Sequence, residues 1–356
     1  MNVREVRALA PIGENSRNSE GAFLRSPNGD ILFAYSRYNS SNSHDHAPCD
    51  IYMIRSSDEG ESWSEPVAIA IAKDFGVANL MSVSGVTHKD GSIGFYFLIK
   101  ENDFSTTIGR AISSNGKDFK SERTKCDFPR GYYIINNDRF ERFSDSRIVA
   151  PAAYIPADEN STGAWGCSLA CCLVSEDDGA TFKRTPHLVG LTHTINYRYG
   201  MQEPGIIELY PGIAWMWART GSGYQYQCYS LNDLGSFTIP EPSIFTSPDS
   251  PMEVIRENEN TLYCVYNPIP NYNEKEKTAW GWGRTPLVIR KSVNNGVSWG
   301  RINVIGGDSD RGYCYPSMFI TKDGAMLCST CSGGEEDKMC LCRLSIFKFA
   351  LDGVVM

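Results

Sequence analysis

The chain has 356 residues, 41% hydrophobic and 12% aromatic, enough for a large core, and a formal net charge of −8. That balance argues against a nucleic-acid footprint or an anionic membrane surface, so an anionic ligand would need a local cluster of arginines. No run approaches the ~20 apolar residues of a membrane span, the first residues carry no apolar signal segment, and twelve cysteines read as reduced thiols of a cytoplasmic protein.

Strand-like runs dominate in chain order. Residues 30–38 and 50–55 come first, and the second leads into Ser56-x-Asp58-x-Gly60-x-x-Trp63. Residues 92–99 precede a shorter copy, Ser113 to Phe119. The runs 147–155 and 169–174 precede Ser175-x-Asp177-x-Gly179-x-x-Phe182. A double run over 205–220 is followed by Ser230 to Phe237, where Leu234 replaces the glycine. Residues 261–266, a polar excursion at 271–277 and a run at 286–290 lead to Ser292-x-Asn294-x-Gly296-x-x-Trp299. Runs at 325–330 and 341–351 close the chain, and glycine, proline, asparagine and aspartate punctuate the whole.

The five motif serines recur at steps of 55–62 residues, a period that marks repeated supersecondary units within one domain spanning 1–356. In each motif the hydroxyl and carboxylate can bond nearby backbone N–H groups and hold a tight turn. The glycine supplies a positive φ, and the aromatic covers the hairpin. The motif is a fold staple rather than a catalytic element. Many short strands at this period predict an all-β, six-bladed propeller of four-stranded antiparallel blades. The last blade would combine 315–351 with an N-terminal strand and so remove exposed edges. A solenoid is the competing architecture, disfavoured by the lack of polar capping units.

Cys328-x-x-Cys331 and Cys340-x-Cys342 have the look of a metal hairpin, but strand residues three apart point to opposite faces, and buried thiols are the plainer reading. Cys167, Cys171 and Cys172 read as packing residues of a buried strand. No metal or cofactor is expected.

Four segments carry a resemblance to the sialidase (neuraminidase) superfamily, whose six-bladed propellers bear these boxes. Met201-Gln202-Glu203-Pro204-Gly205, running on to Trp215-Met216-Trp217-Ala218-Arg219, resembles the segment where a glutamate opens one strand and an arginine ends the next. Trp282-Gly283-Arg284-Thr285-Pro286 is similar to the family's third carboxylate-binding arginine segment, and Gly312-Tyr313-Cys314-Tyr315-Pro316 to the strand presenting the nucleophilic tyrosine. The loop Asn39 to Pro48, after Tyr35-Ser36-Arg37-Tyr38, matches the place of the acid/base aspartate.

The resemblance implies retaining hydrolysis of a terminal sialic acid or related acidic sugar on a glycan. Tyr315 would be the nucleophile, Glu203 its base and Asp45 the acid/base, with His46 as alternative or tuning neighbour. Arg17, Arg219 and Arg284 would grip the carboxylate bidentately, with Arg37, Gln202, Asp138 and Arg139 as further substrate-binding residues. A neutral tyrosine suits a substrate whose anomeric carbon carries a carboxylate, because that carboxylate repels an anionic nucleophile. Glu20 stands where the family pattern after the first arginine has a small or apolar residue. The loop 247–252 and the rings of Tyr197, Tyr199 and Tyr224 are candidate pocket walls. Two other functions fit the same fold: a glycosidase or lyase for another sugar, and a non-catalytic carbohydrate-binding propeller.

Overall fold

In the computed structural model, which describes residues 1–157, 166–191, 199–269 and 280–356, antiparallel sheets are arranged as six blades. Tyr197 and the loop 271–277 lie outside the described residues. Blade 1 runs outward through Asn15–Arg25, Ile31–Asn39, Cys49–Ser56 and Val67–Ala70, and blade 2 through Leu80–Thr87, Ile93–Asn102, Ser105–Ser113 and Lys120–Arg123. Blade 4 comprises Gln202–Tyr210, Ile213–Arg219, Tyr224–Ser230 and Glu241–Thr246. Blade 5 comprises Glu253–Arg256, Leu262–Tyr266, Leu287–Ser292 and Asn303–Gly306. Blade 6 takes Cys314–Ile320, Ala325–Cys331 and Leu344–Ala350 from the end of the chain and Arg4–Leu9 from its start. That pairing closes the ring as expected. No helix among the described residues is long and apolar enough to cross a membrane.

Blade 3 departs from four strands. Its inner strand is split into Gly131–Ile134 and Glu141–Arg142, both pairing with Ile148–Pro156. Beyond Leu169–Ser175 and Thr181–Arg184, a short outer strand, Lys125–Asp127, adds in parallel. The polar run Asn136-Asn137-Asp138-Arg139 occupies the break.

Each blade is covered on both faces, so strands such as Ile31–Asn39 are buried nearly throughout. The core is a set of slabs between neighbouring blades. Leu24 and Leu32 meet Val83 and Phe95 between blades 1 and 2, and Tyr96 and Ile108 meet Ile148 and Phe182 between blades 2 and 3. Phe23 and Phe33 pack on Leu327 and Ile346 between blades 1 and 6, which seals the ring.

The box turns join the third and fourth strands of blades 1 to 5. In the first, Gly60 N donates to Ser56 Oγ at 2.8 Å and Ser62 N to Asp58 Oδ1 at 2.9 Å. The Ser175–Asp177 and Ser292–Asn294 boxes repeat that pattern. Gly179 sits at φ 85°, and a Cβ there would fall 1.9 Å from the Tyr96 hydroxyl, so glycine is required twice over. Leu234, in glycine's place, takes φ 64°.

Of the cysteines, Cys171 and Cys172 are fully buried, but Cys167 is exposed, beyond the strand that begins at Leu169. Cys328 faces the slab between blades 5 and 6, whereas Cys331 and Cys340 pack beside Cys314. The apparent metal hairpin is therefore two separate sets of packing thiols.

Candidate active site

The inner strands of blades 1, 2, 4 and 6 share one irregularity. In each, two residues face one on the neighbouring strand, the signature of a bulge: between Ser19 and Ala22, Met81 and Ser84, Gln202 and Gly205, and Cys314 and Ser317. The bulged residues are Glu20, Ser82, Glu203 and Tyr315, with φ of 56°, 60°, 47° and 54°. A left-handed backbone costs such residues of order 1 kcal/mol or more and persists where the surroundings impose it. Here all four line one pocket of about 580 Å³ at the propeller axis, a size suited to a small ligand.

The centre of the pocket is a hydrogen-bonded chain. The Tyr315 hydroxyl donates to Glu203 Oε1 at 2.9 Å, Arg219 Nη1 donates to Glu203 Oε2 at 2.8 Å, and Arg219 Nε reaches Asp249 Oδ1 at 2.7 Å. Burial, followed by the charge on Glu203, pushes the Tyr315 phenol well above its ordinary value. A tyrosine so placed attacks only if a base removes its proton, and Glu203 is the group within reach. Arg284 is buried against Trp282 and Tyr315, with its guanidinium carbon 5.1 Å and 5.8 Å from those rings. Its Nη2 donates to the Asp249 carbonyl at 3.0 Å, while Nε and Nη1 have no hydrogen-bond partner among the described residues. Two buried, unsatisfied guanidinium donors at a pocket wall are a demand for an anionic or strongly accepting group.

Arg17 is differently placed. It is 1% exposed and is not part of the pocket wall. Nη1 donates to Asp45 Oδ1 at 2.6 Å, Nη2 to Glu20 Oε1 at 3.1 Å and Nε to Ser19 Oγ at 2.9 Å, and the guanidinium lies over the Tyr38 ring. Of the three arginines expected to grip one ligand, Arg219 and Arg284 therefore line the pocket and Arg17 does not.

Asp45 does reach the pocket, with its side chain 59% exposed. Its loop is pinned by Lys100 Nζ on the Asp45 carbonyl at 2.5 Å and by Asn79 Nδ2 on the same oxygen at 3.1 Å. Loss of solvent would raise its carboxyl, but Arg17 and Lys100 outweigh that and hold it at about 2. Glu20 behaves oppositely. Burial outweighs the pull of Arg17, and its carboxyl stands at about 7, with Ser82 Oγ donating to Oε2 at 3.2 Å. His46 lies on the rim, 3.4 Å from Asp103, with burial and Lys100 lowering it.

Gln202 lines the pocket beside Arg219, its register partner. Pro248 and Asp249 of the 247–252 loop, and Tyr199, also form its wall. Tyr224 does not, because it opens the third strand of blade 4. Arg37 is also outside: strand alternation turns it away, and it stacks on Tyr52 at 4.5 Å.

Asp138 and Arg139 are not pocket walls either. They belong to the excursion in blade 3, which crosses the axis as a plug. Asn137 Nδ2 donates to Gly21 O at 2.9 Å and to Tyr315 O at 3.3 Å. Asp138 N bonds Val83 O, Arg139 N bonds Ser84 Oγ, and Arg139 pairs with Glu253 and donates to Met252 O. One four-residue segment thus ties the inner strands of blades 1, 2 and 6 to blade 5 and fixes the backbone under Tyr315.

Sequence reasoning did not assign Glu20, Ser82, Lys100 or Tyr132 to the pocket. The available signal was spacing: Glu20 and Ser82 lie on the inner strands of neighbouring blades, 62 residues apart, close to the period of the boxes.

A ring of six sheets with an axial, charged pocket defines a sialidase-like propeller. Residues 101–328 match the BNR repeat-like domain, and the chain belongs to that family. Comparison with curated proteins gave no match. Among solved structures, it is similar to the NanB sialidase from Streptococcus pneumoniae, with 11% identity over 99% of this chain and 71% of that one and a TM-score of 0.71. It is likewise similar to the leech intramolecular trans-sialidase, with 10% identity over 100% and 71% of the chains and a TM-score of 0.73. A protein of unknown function from Dyadobacter fermentans gives 17% identity over 98% and 99%, at a TM-score of 0.69. At such identities the likeness shows the shared fold.

Proposed function

We propose that this protein is a retaining exo-glycosidase that hydrolyses a terminal sialic acid or related acidic sugar from a glycan. The observation that carries the reading is the Tyr315–Glu203 hydrogen bond of 2.9 Å, set beside the unsatisfied donors of Arg284. Glu203 takes the phenolic proton as Tyr315 Oη attacks the anomeric carbon, the aglycone oxygen leaves with a proton that Asp45 acquired during substrate binding, and a glycosyl-tyrosine forms. Water then attacks that carbon, and Tyr315 departs and recovers its proton. Asp45, at the mouth, is the acid/base. Ionised beside Arg17, it suits the second half, in which it accepts a proton from the attacking water.

A panel of fluorogenic glycosides of sialic acid, KDN, uronic acid and neutral sugars tests the reading. Turnover of an acidic member is expected, falling at least 10³-fold in Tyr315→Phe with little loss of stability. Fluorinated sugar should label Tyr315. No turnover across the panel, or near-normal turnover by the variant, overturns it. A second reading, a glycosidase for a sugar without a carboxylate at the anomeric carbon, is favoured by one observation: Arg17 is already neutralised by Glu20 and Asp45.

A further inference from the structure

Glu20 is the one acidic side chain of the pocket wall that is both nearly fully buried and seated on an arginine which the wall excludes. Four acidic residues line the pocket (Glu20, Asp45, Glu203 and Asp249) against three basic ones (Lys100, Arg219 and Arg284). An anionic sugar therefore enters a site that is not cationic overall, and it meets a carboxyl where a third arginine would serve it. Resting on the acidic-sugar reading above, we infer that Glu20 is a resident carboxyl that occupies Arg17 from inside the protein. The pocket then grips a sugar carboxylate through Arg219 and Arg284 alone and takes up a proton at Glu20 as it does so.

The charged groups facing Glu20 are Arg17 on its own strand, Asp45 on the loop of blade 1, Lys100 on blade 2 and Glu203 on blade 4. The phenols of Tyr38, Tyr132 and Tyr315 and the thiols of Cys49 and Cys331 also sense it, and burial pushes each of them upward, so all are neutral near pH 7. Arg17 and Lys100 favour the Glu20 carboxylate, while Asp45 and Glu203 oppose it. Burial decides the balance and leaves Glu20 near half-protonation at about pH 7. A second anion nearby tips it to the neutral acid.

The measurement is equilibrium binding of N-acetylneuraminic acid by calorimetry from pH 6 to 9, in buffers of different ionisation enthalpy. Its methyl ester serves as the uncharged control. The sugar carboxyl is ionised throughout this range. Affinity should fall about tenfold per pH unit above about 7, with uptake approaching one proton, and the ester should show neither effect. In Glu20→Gln the pH dependence should vanish, with binding roughly tenfold tighter than the parent at pH 8 and similar at pH 6. Ser82→Ala removes a hydrogen bond that favours the carboxylate, so the midpoint should move upward. This variant keeps the idea testable if Glu20→Gln fails to fold. The same pH slope in the parent and Glu20→Gln, a flat parent profile, or an unmoved midpoint in Ser82→Ala overturns the role of Glu20 while leaving the substrate class standing. Absence of binding by the parent and by Glu20→Gln, with both folded, overturns the acidic-sugar reading itself and this inference with it.

Discussion

Asp45 and Glu20 are both carboxyls of one pocket, yet Arg17 and Lys100 hold the first at about 2 while burial lifts the second to about 7. Under the proposed mechanism Asp45 would enter the reaction as a carboxylate, and protonation of the leaving oxygen would depend on a proton acquired during substrate binding. Asp45→Asn should therefore slow glycosides with poor leaving groups far more than those with good ones, for which no acid is needed. A uniform loss across leaving groups would remove Asp45 from the acid role. Glu203, Arg219, Arg284 and Tyr315 were legible in the sequence because each sits in a short segment with a family counterpart. Arg37 was misplaced because only the strand's alternation, fixed by its pairing, says which face a residue takes. Arg17 was misjudged because its four acceptors, Ser19, Glu20, Ser43 and Asp45, converge on it only after folding.

At the scale of the element, boxes and bulges divide the labour. The third strand of blade 1 runs from Cys49, next to the Asp45 loop, to Ser56, where the box begins. The box thus lies at the opposite end of the blade from the pocket. Hydrogen bonds from Ser62 and Ser56 outweigh the small cost of lost solvent and hold Asp58 at about 2, with its carboxylate spent on the turn. Asp58→Ala should lower stability by about 1 kcal/mol, read from denaturant midpoints, with kcat per folded molecule unchanged. A collapse of kcat at constant stability would refute the structural role. Box spacing was fully readable in the sequence, because each box is a local turn whose partners lie within a few residues. The bulges were not: an extra residue in a strand is defined only against its neighbour, and Glu20-Gly21 or Tyr315-Pro316 announces none by itself.

For the molecule as a whole, burial sets the response to pH. Glu20 and Glu141, ordinarily near 4.5, and Asp138, ordinarily near 3.8, are all raised to about 7, chiefly by desolvation. The folded state holds these protons more tightly than the unfolded chain, so their contribution is greatest below the ordinary values and is lost as pH rises to about 7. Asp45 and Asp58, lowered to about 2, contribute above the ordinary value and lose that contribution as pH falls. Burial of His46 and His88 gives a weaker, opposite slope near neutrality. Thermal unfolding should therefore be highest near pH 4 and several degrees lower at pH 8. A higher melting temperature at pH 8 would show that these carboxyls are not buried as described.

By itself the sequence determined the all-β class, the six-fold repeat and the closure of the last blade by the first strand, and it singled out Tyr315, Glu203, Arg219 and Arg284, which line one pocket. These rest on turns, strand pattern and short segments whose meaning is local. Only the tertiary structure decided that Asn136–Arg139 plugs the axis, that Arg17 is spent on Glu20 and Asp45, and that Glu20 faces the pocket. Each of these depends on groups brought together across blades, or across a strand pairing, and such proximity is a product of ring closure that no local pattern encodes.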